Sequence, residues 1–232
     1  MNFTYPTPEL QAAHKKVLAI KNTLMAAGAP GPLSVCIGPG REPFKGWHHL
    51  EKDPVILGLL KEGGHSFEDA DGMDWFTDRK DDTVDAIYSS HSLEHFPIRR
   101  AEKAFREWAR TLKPGGTLYL AVPDMKLQCQ IMASDNIPDD WKIGWFLYTM
   151  YGFQADTDKY AGDRKEFSMG RSEGALVPDC RWQYHTTAFW DSYLIRLATA
   201  CSLVVVNMFS YDGYNTPSIW CEFRKREQFY DV

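Results

Sequence analysis

Apolar positions recur at helical spacing over residues 8–27, where Leu10, Val17, Leu18, Ile20, Leu24 and Met25 form one stripe. Gly28-Ala29-Pro30-Gly31-Pro32 stops that helix, whose predicted role is to cover a sheet. A short apolar run, Leu33, Val35, Cys36 and Ile37, then reads as a buried strand over 33–37 that ends in the turn Gly38-Pro39-Gly40. A second strand is expected over 47–51. The link between the two is shorter than the dozen or more residues of an ordinary parallel crossover. Either it is a compressed loop, or the strands are not parallel neighbours.

Pro54 marks a helix start, with Val55, Ile56, Leu59 and Leu60 as its buried face and Gly63-Gly64 as its stop. A strand over 65–68 runs into the acidic turn Asp69-Ala70-Asp71-Gly72. A further strand, 84–88, leads to Ser89-Ser90-His91, and 99–112 reads as a helix with Ala101, Ala104, Phe105 and Trp108 on one face. Lys113-Pro114-Gly115-Gly116 turns the chain into a strand over 117–122, which Pro123-Asp124 ends. Alternation of this kind predicts an α/β fold, a Rossmann-like open and mostly parallel sheet with ligands at the carboxyl ends of its strands.

The alternation breaks over 125–184, where Trp141, Trp145, Phe146, Tyr148, Tyr151, Phe153, Tyr160, Phe167, Trp182 and Tyr184 are interleaved with glycines and charges. This is an aromatic-rich insertion over the strand ends, either a small second core or a surface that stacks a planar substrate or a sugar. A helix over 188–201, a strand over 203–209, the turn Asp212-Gly213 and a strand over 218–223 predict a closing antiparallel hairpin. One domain is expected over 1–232: a helical cap to residue 32, a binding core over 33–124, the insertion over 125–184, and the last helix and hairpin over 185–232.

Composition narrows the partners. The 232 residues carry a net charge of −5 with pI ≈ 5.8, so no global basic surface attracts nucleic acid or anionic membrane. The hydrophobic share of 44% is ample for a core. Five cysteines, Cys36, Cys129, Cys180, Cys201 and Cys221, include no CxxC pair and read as free thiols of a reducing cytosol. Without a cleavable signal or an apolar run of spanning length, the expectation is a soluble, cytoplasmic protein.

The candidate chemistry sits beside the glycine turn. Glycines let the backbone approach a ligand, and Glu51 at the tip of the second strand can accept two hydrogen bonds from a ribose diol. Together they suggest a nucleoside-containing ligand. His91 and His95 flank Glu94 four residues apart and could share a metal ion, but no third ligand is evident and no metal is expected. His95 reads as a packed histidine and Glu94 as a partner of a helix N-terminus. His48-His49 read as an inward structural histidine or a solvated pair. Arg164-Lys165 and Arg171, mixed with acidic neighbours, read as surface.

LSVCIGPG (33–40), Glu51, EDADGM (68–73), DTVDAIYSSHSLEHF (82–96) and REWARTLKPGGTLYLAVPD (106–124), in that order, resemble the class I S-adenosylmethionine-dependent methyltransferases, and within them the type 11-like group with its Gly46-Trp47 second strand. The resemblance implies S-adenosylmethionine as cofactor. Ile37, Gly38 and Gly40 would line its methionine and ribose part. Glu51 would hold the ribose hydroxyls, Asp69 and the backbone of Ala70 would meet the adenine, and Ser89, Ser90 and His91 would lie under the sulfonium. Cys36 stands where the family often has an acidic residue, Pro43 replaces the third glycine of a dinucleotide turn, and the first helix is missing. Arg41 is placed to hold the cofactor's carboxylate instead.

The function expected is methyl transfer to a hydroxyl or amine of a small acceptor, a sugar or other hydroxylated metabolite, with His91 or His185 as proton acceptor. The rival is a non-catalytic S-adenosylmethionine-binding module that holds a protein partner through its aromatic insertion. A nucleotide-sugar or dinucleotide enzyme is disfavoured by Pro43 and the short spacing to Glu51.

Overall fold

The computed structural model describes residues 6–135, 185–213 and 216–227. Their elements are α1 (Pro8–Ala27), β1 (Ser34–Ile37), β2 (His48–Glu51), α2 (Pro54–Glu62), β3 (Ser66–Asp69), β4 (Val84–Ser90), α3 (Ile98–Thr111), β5 (Leu112–Pro123), α4 (Met125–Met132), α5 (Asp191–Ala200), β6 (Leu203–Gly213) and β7 (Thr216–Lys225). Local chemistry sets the helix starts. Thr7, Asp53 and Asp124 each accept a backbone N–H from the first turn of α1, α2 and α4, and Pro8 and Pro54 open the first two.

The seven strands form one sheet in the order β3-β2-β1-β4-β5-β7-β6. The first five run parallel, and β7 and β6 are antiparallel. Thus β1 and β2 are parallel neighbours, and the compressed-loop alternative is the correct one. β5 starts at Leu112, not after the glycines. Lys113-Pro114-Gly115-Gly116 lies within it, where the pairing with β4 slips between Val84 and Ala86. Asp85, in that slip, accepts from the Leu33 N–H at 2.8 Å and from Lys113 Nζ at 2.6 Å, and so ties the start of β1 to the start of β5.

Each face of the sheet has its own core. On one, Val35, Ile37, Ile87, Leu118 and Leu120 pack with Phe105 and Trp108 of α3 and with Leu194 and Leu197 of α5. The indole of Trp108, fully buried, donates to the Gly72 carbonyl at 2.9 Å and fixes the acidic turn after β3. On the other face, Cys36, Ala86, Tyr88, Ala121 and Trp220 pack with Val17 of α1. Cys36 lies wholly inside this layer, and burial pushes its thiol far up, so it is a core residue.

That second core explains the short link. Residues 38–47 carry Phe44 and Trp47, both buried, with ring centroids 5.5 Å apart and Phe44 4.5 Å from Tyr88. They plug the sheet face that a crossover helix would cover, and α1 completes the cover. His49, fully buried, locks the plug. Its Nε2 accepts the Phe44 N–H at 3.0 Å, and its Nδ1 donates to the Ser66 carbonyl at 3.0 Å. It is the inward structural histidine of the pair. Of the expected insertion, only 125–135 is described. It begins with α4, which the aromatic pattern did not announce, and the remainder lies outside the described residues.

No described helix is long and apolar enough to cross a membrane. Cys36, Cys129, Cys201 and Cys221 are free.

Burial holds the His49 imidazole below its ordinary value of 6.5, so protons favour the unfolded chain. His49→Leu removes the acceptor of a buried N–H and should cost about 1–3 kcal/mol at pH 7.5. The His49 contribution is present above pH 6.5 and is lost as pH falls below it, towards the folded-state value. Urea melts between pH 7.5 and 5.5 should therefore show stability falling less steeply in the variant than in the wild type. Equal slopes would remove the assignment.

Candidate functional site

Strand register aligns the predicted groups. Ile37 pairs with Leu50 on one side and Ser89 on the other, and Glu51 pairs with Asp69. One step further on, Asp69, Glu51, Gly38 and Ser90 form a row across the carboxyl ends of four adjacent parallel strands. At about 4.8 Å per strand the row spans roughly 14 Å. It lies over the point where the chain order reverses, with β2 and β4 on opposite sides of β1.

At the centre of the row Gly38 has φ +61, and a Cβ there would stand 2.6 Å from Ser92 Oγ, so both conformation and space demand glycine. Its N–H donates to the Leu50 carbonyl at 3.0 Å. Gly40 also has positive φ, but a Cβ there would meet nothing within 4 Å. Arg41 is exposed beside it, in the loop that the Lys21–Glu42 ion pair ties to α1.

The two acids differ. Glu51 is partly buried, and its carboxyl is pushed above the ordinary value by that burial. Its Oε1 accepts the N–H groups of Lys52 and Asp53 at 2.8 and 2.9 Å, which presets the carboxylate and leaves Oε2 for a ligand. Asp69 is exposed and sits 3.0 Å from Lys52 Nζ. The Ala70 N–H donates to the Glu51 and Glu68 carbonyls. Beyond it, Arg100 bridges Asp71 and Asp74 at 3.1 Å each.

At the end of β4, Ser89 is buried and its hydroxyl has no hydrogen-bond partner among the described residues. His91 follows with φ +53, a left-handed conformation that costs a residue other than glycine about 1 kcal/mol. Its N–H continues the ladder to the Ala121 carbonyl at 2.9 Å. Its ring is bracketed: Nδ1 lies 3.2 Å from Glu94 Oε1, and Nε2 lies 3.4 Å from Ser218 Oγ. A carboxylate only accepts, so Nδ1 carries a proton, and in the neutral ring Nε2 holds the lone pair.

Glu94 is fully buried on the single 3-10 turn Leu93–His95 that precedes α3. Instead of serving a helix N-terminus, as the sequence suggests, its side chain turns towards histidines. Burial alone would push its carboxyl up, but the hydrogen bond from His91 and the nearby imidazoles hold it below the ordinary value. His185 Nε2 is 3.9 Å from Glu94 Oε1, and the His95 and His185 rings are 5.2 Å apart. Burial pushes the His185 imidazole down to about 4, against the pull of Glu94.

The structure therefore brings both histidine candidates to one carboxylate. Ser218 and the role of Glu94 were missed. Ser218 is 127 residues from His91 in sequence and arrives only because β7 pairs with β5. The one available signal was its place at the start of the last strand. A cavity of about 450 Å³ between Arg106, Arg110, Cys201 and Lys225 lies at the opposite end of the sheet. Two of its cations are already engaged, Arg110 with Glu107 and Asp81, and Lys225 with Asp82 and two carbonyls.

Residues 53–120 match the model of a family described as "Methyltransferase domain". Among curated proteins, none matches the chain. Solved structures share its fold at low identity. The N-methyltransferase NodS from Bradyrhizobium japonicum WM9 aligns with TM-score 0.54 and 12% identity, covering 93% of this chain and 97% of that one. Magnesium protoporphyrin IX methyltransferase from Synechocystis PCC 6803, with bound S-adenosylhomocysteine, aligns with TM-score 0.56 and 12% identity over 97% and 89%. The [4+2]-cyclase SpnF is also similar, at TM-score 0.54 and 11% identity over 92% and 81%, so the fold by itself does not fix the reaction. By its fold and by the methyltransferase-domain model matched over residues 53–120, the chain is similar to the class I S-adenosylmethionine-dependent methyltransferases.

Proposed function

We propose that this protein transfers a methyl group from S-adenosylmethionine to a hydroxyl or amine of a small acceptor, with His91 taking the acceptor's proton. The observation that carries the reading is the strained, bracketed His91 at the end of β4, beside the row of strand-end acceptors.

The row suits the cofactor. Glu51 Oε2 and Asp69 are acceptors, matching the donors of a ribose diol and an adenine amine. Gly38 and Gly40 bring bare backbone alongside, and the unpaired Ser89 hydroxyl is a further polar contact. Arg41 directly follows the glycine turn and offers a cation for a carboxylate. Bound there, S-adenosylmethionine would supply a methyl group on a sulfonium, already activated for displacement.

The chain's own part is then positioning and proton transfer. Glu94 holds the His91 ring through Nδ1, which points the Nε2 lone pair away from the carboxylate. Ser218 steadies that nitrogen from β7 at a long 3.4 Å, a contact that an acceptor hydroxyl can replace. Burial holds the His185 imidazole down at about 4, so it stays neutral beside Glu94 and His95.

Two measurements test this. S-adenosylmethionine or S-adenosylhomocysteine at ~100 times Kd should stabilise the fold by about 2.7 kcal/mol, several degrees in a thermal melt. Glu51→Ala should weaken that binding about tenfold or more, through lost charged hydrogen bonds. A shift with NAD and none with either compound would sink the reading. With an acceptor found by screening hydroxylated metabolites, His91→Ala should lower kcat by about 10²–10⁴ while changing cofactor affinity less than about threefold. Unchanged turnover would dismiss His91 as the proton acceptor.

A further inference from the structure

The carboxylate of Glu94 is only half accounted for. Oε1 takes the His91 proton donor, but Oε2 is fully buried with no hydrogen-bond partner among the described residues. A buried carboxylate oxygen without a donor is costly, and folds do not keep one for packing alone. Something positive belongs against it.

Two further imidazoles stand beside this carboxylate. One ligand atom from each of Glu94, His95 and His185 lies within 4.8 Å of the other two. The rings of His95 and His185 meet edge to face, 68° apart. Three ligands at zinc distances of about 2.0–2.2 Å would stand roughly 3.3 Å apart, an approach that side-chain rotation can supply. The backbone is already set for it. The N–H groups of Thr186 and Thr187 donate to the Glu94 carbonyl at 2.8 and 3.1 Å, and the Thr187 hydroxyl donates to the Phe96 carbonyl. The segment carrying His185 is thereby fastened to the turn carrying Glu94 and His95. These groups come from two places 90 residues apart in sequence, which is why the i, i+4 histidines suggested no complete ligand set. His91 is not part of it, since its ring is held between Glu94 Oε1 and Ser218.

We propose that Glu94, His95 and His185 bind a divalent transition-metal ion, zinc being the best match. Two imidazoles and one carboxylate suit zinc, cobalt or iron(II) rather than magnesium or calcium, which prefer all-oxygen shells. Three protein ligands leave a fourth position for water or an acceptor oxygen. Binding at Glu94 Oε2 would leave Oε1 on His91, so one carboxylate would fix both the ion and the imidazole.

The test is metal binding by the tag-free full chain, with no cofactor or acceptor present. Metal-free protein titrated with Co²⁺ should develop visible d–d absorption that Zn²⁺ abolishes at about one ion per chain. Its melting temperature should rise with Zn²⁺ but not with Mg²⁺. His95→Gln and His185→Gln should each weaken Zn²⁺ binding at least about tenfold, with folding verified by circular dichroism. Absence of a cobalt spectrum and of a zinc shift in the wild type would overturn the proposal without recourse to any variant. So would full-strength zinc binding by a folded His185→Gln protein, which would place the ion elsewhere. Methyl transfer can stand or fail independently of either result.

Discussion

The structure depends on the packing of Phe44 and Trp47 under β1. A parallel neighbour is normally reached through a helix, which returns the chain and covers one face of the sheet. Here β1 and β2 are joined by residues 38–47, and two buried aromatic rings take over the covering role. Burying rings of this kind is worth about 1.5–3 kcal/mol each. The loop's backbone still needs a partner in that apolar layer, and His49 provides it from the neighbouring strand. Without the plug, Cys36, Ala86 and Tyr88 would lose their cover, and the glycine turn would have no fixed starting point.

This constraint shapes the ligand end of the sheet as well. With no helix after β1, no helix N-terminus faces the glycine turn, and that turn is governed by local contacts. Gly38 is bonded to Leu50 and overlaid by Ser92. The polar groups of the row come instead from the ends of β2, β3 and β4, each held at a defined height by its register. The adenosine side of the proposed ligand thus rests on regular strand geometry, and its methionine side on a loop.

Much of this was legible in the sequence. Alternating apolar runs and glycine stops gave the parallel sheet, and the closing turn at Asp212-Gly213 gave the antiparallel pair, because each signal is local. The short spacing after Ile37 correctly marked an irregularity but left its resolution open, since periodicity does not say that Phe44 turns inward. Glu94 was misread for a similar reason. An acid next to a helix start ordinarily serves the helix, and only the return of His185 across the sheet end shows that it is buried among histidines. Ser218 was invisible, being polar, unremarkable in context and delivered by pairing with a distant strand. The early start of β5 at Leu112 was missed because a Pro-Gly-Gly stretch can sit inside a strand where the pairing with its partner slips.

The second core joins elements far apart in sequence. Val17 of α1 packs in the same layer as Tyr211 of β6 and Trp220 of β7. A helix early in this sequence is therefore buried by residues far downstream of it. Its own helical propensity cannot stabilise it alone at this length, and long-range closure slows folding because chain entropy is lost before the contacts form. The Phe44–Trp47 plug is therefore fully covered only once the β6–β7 hairpin has paired with β5 and met α1.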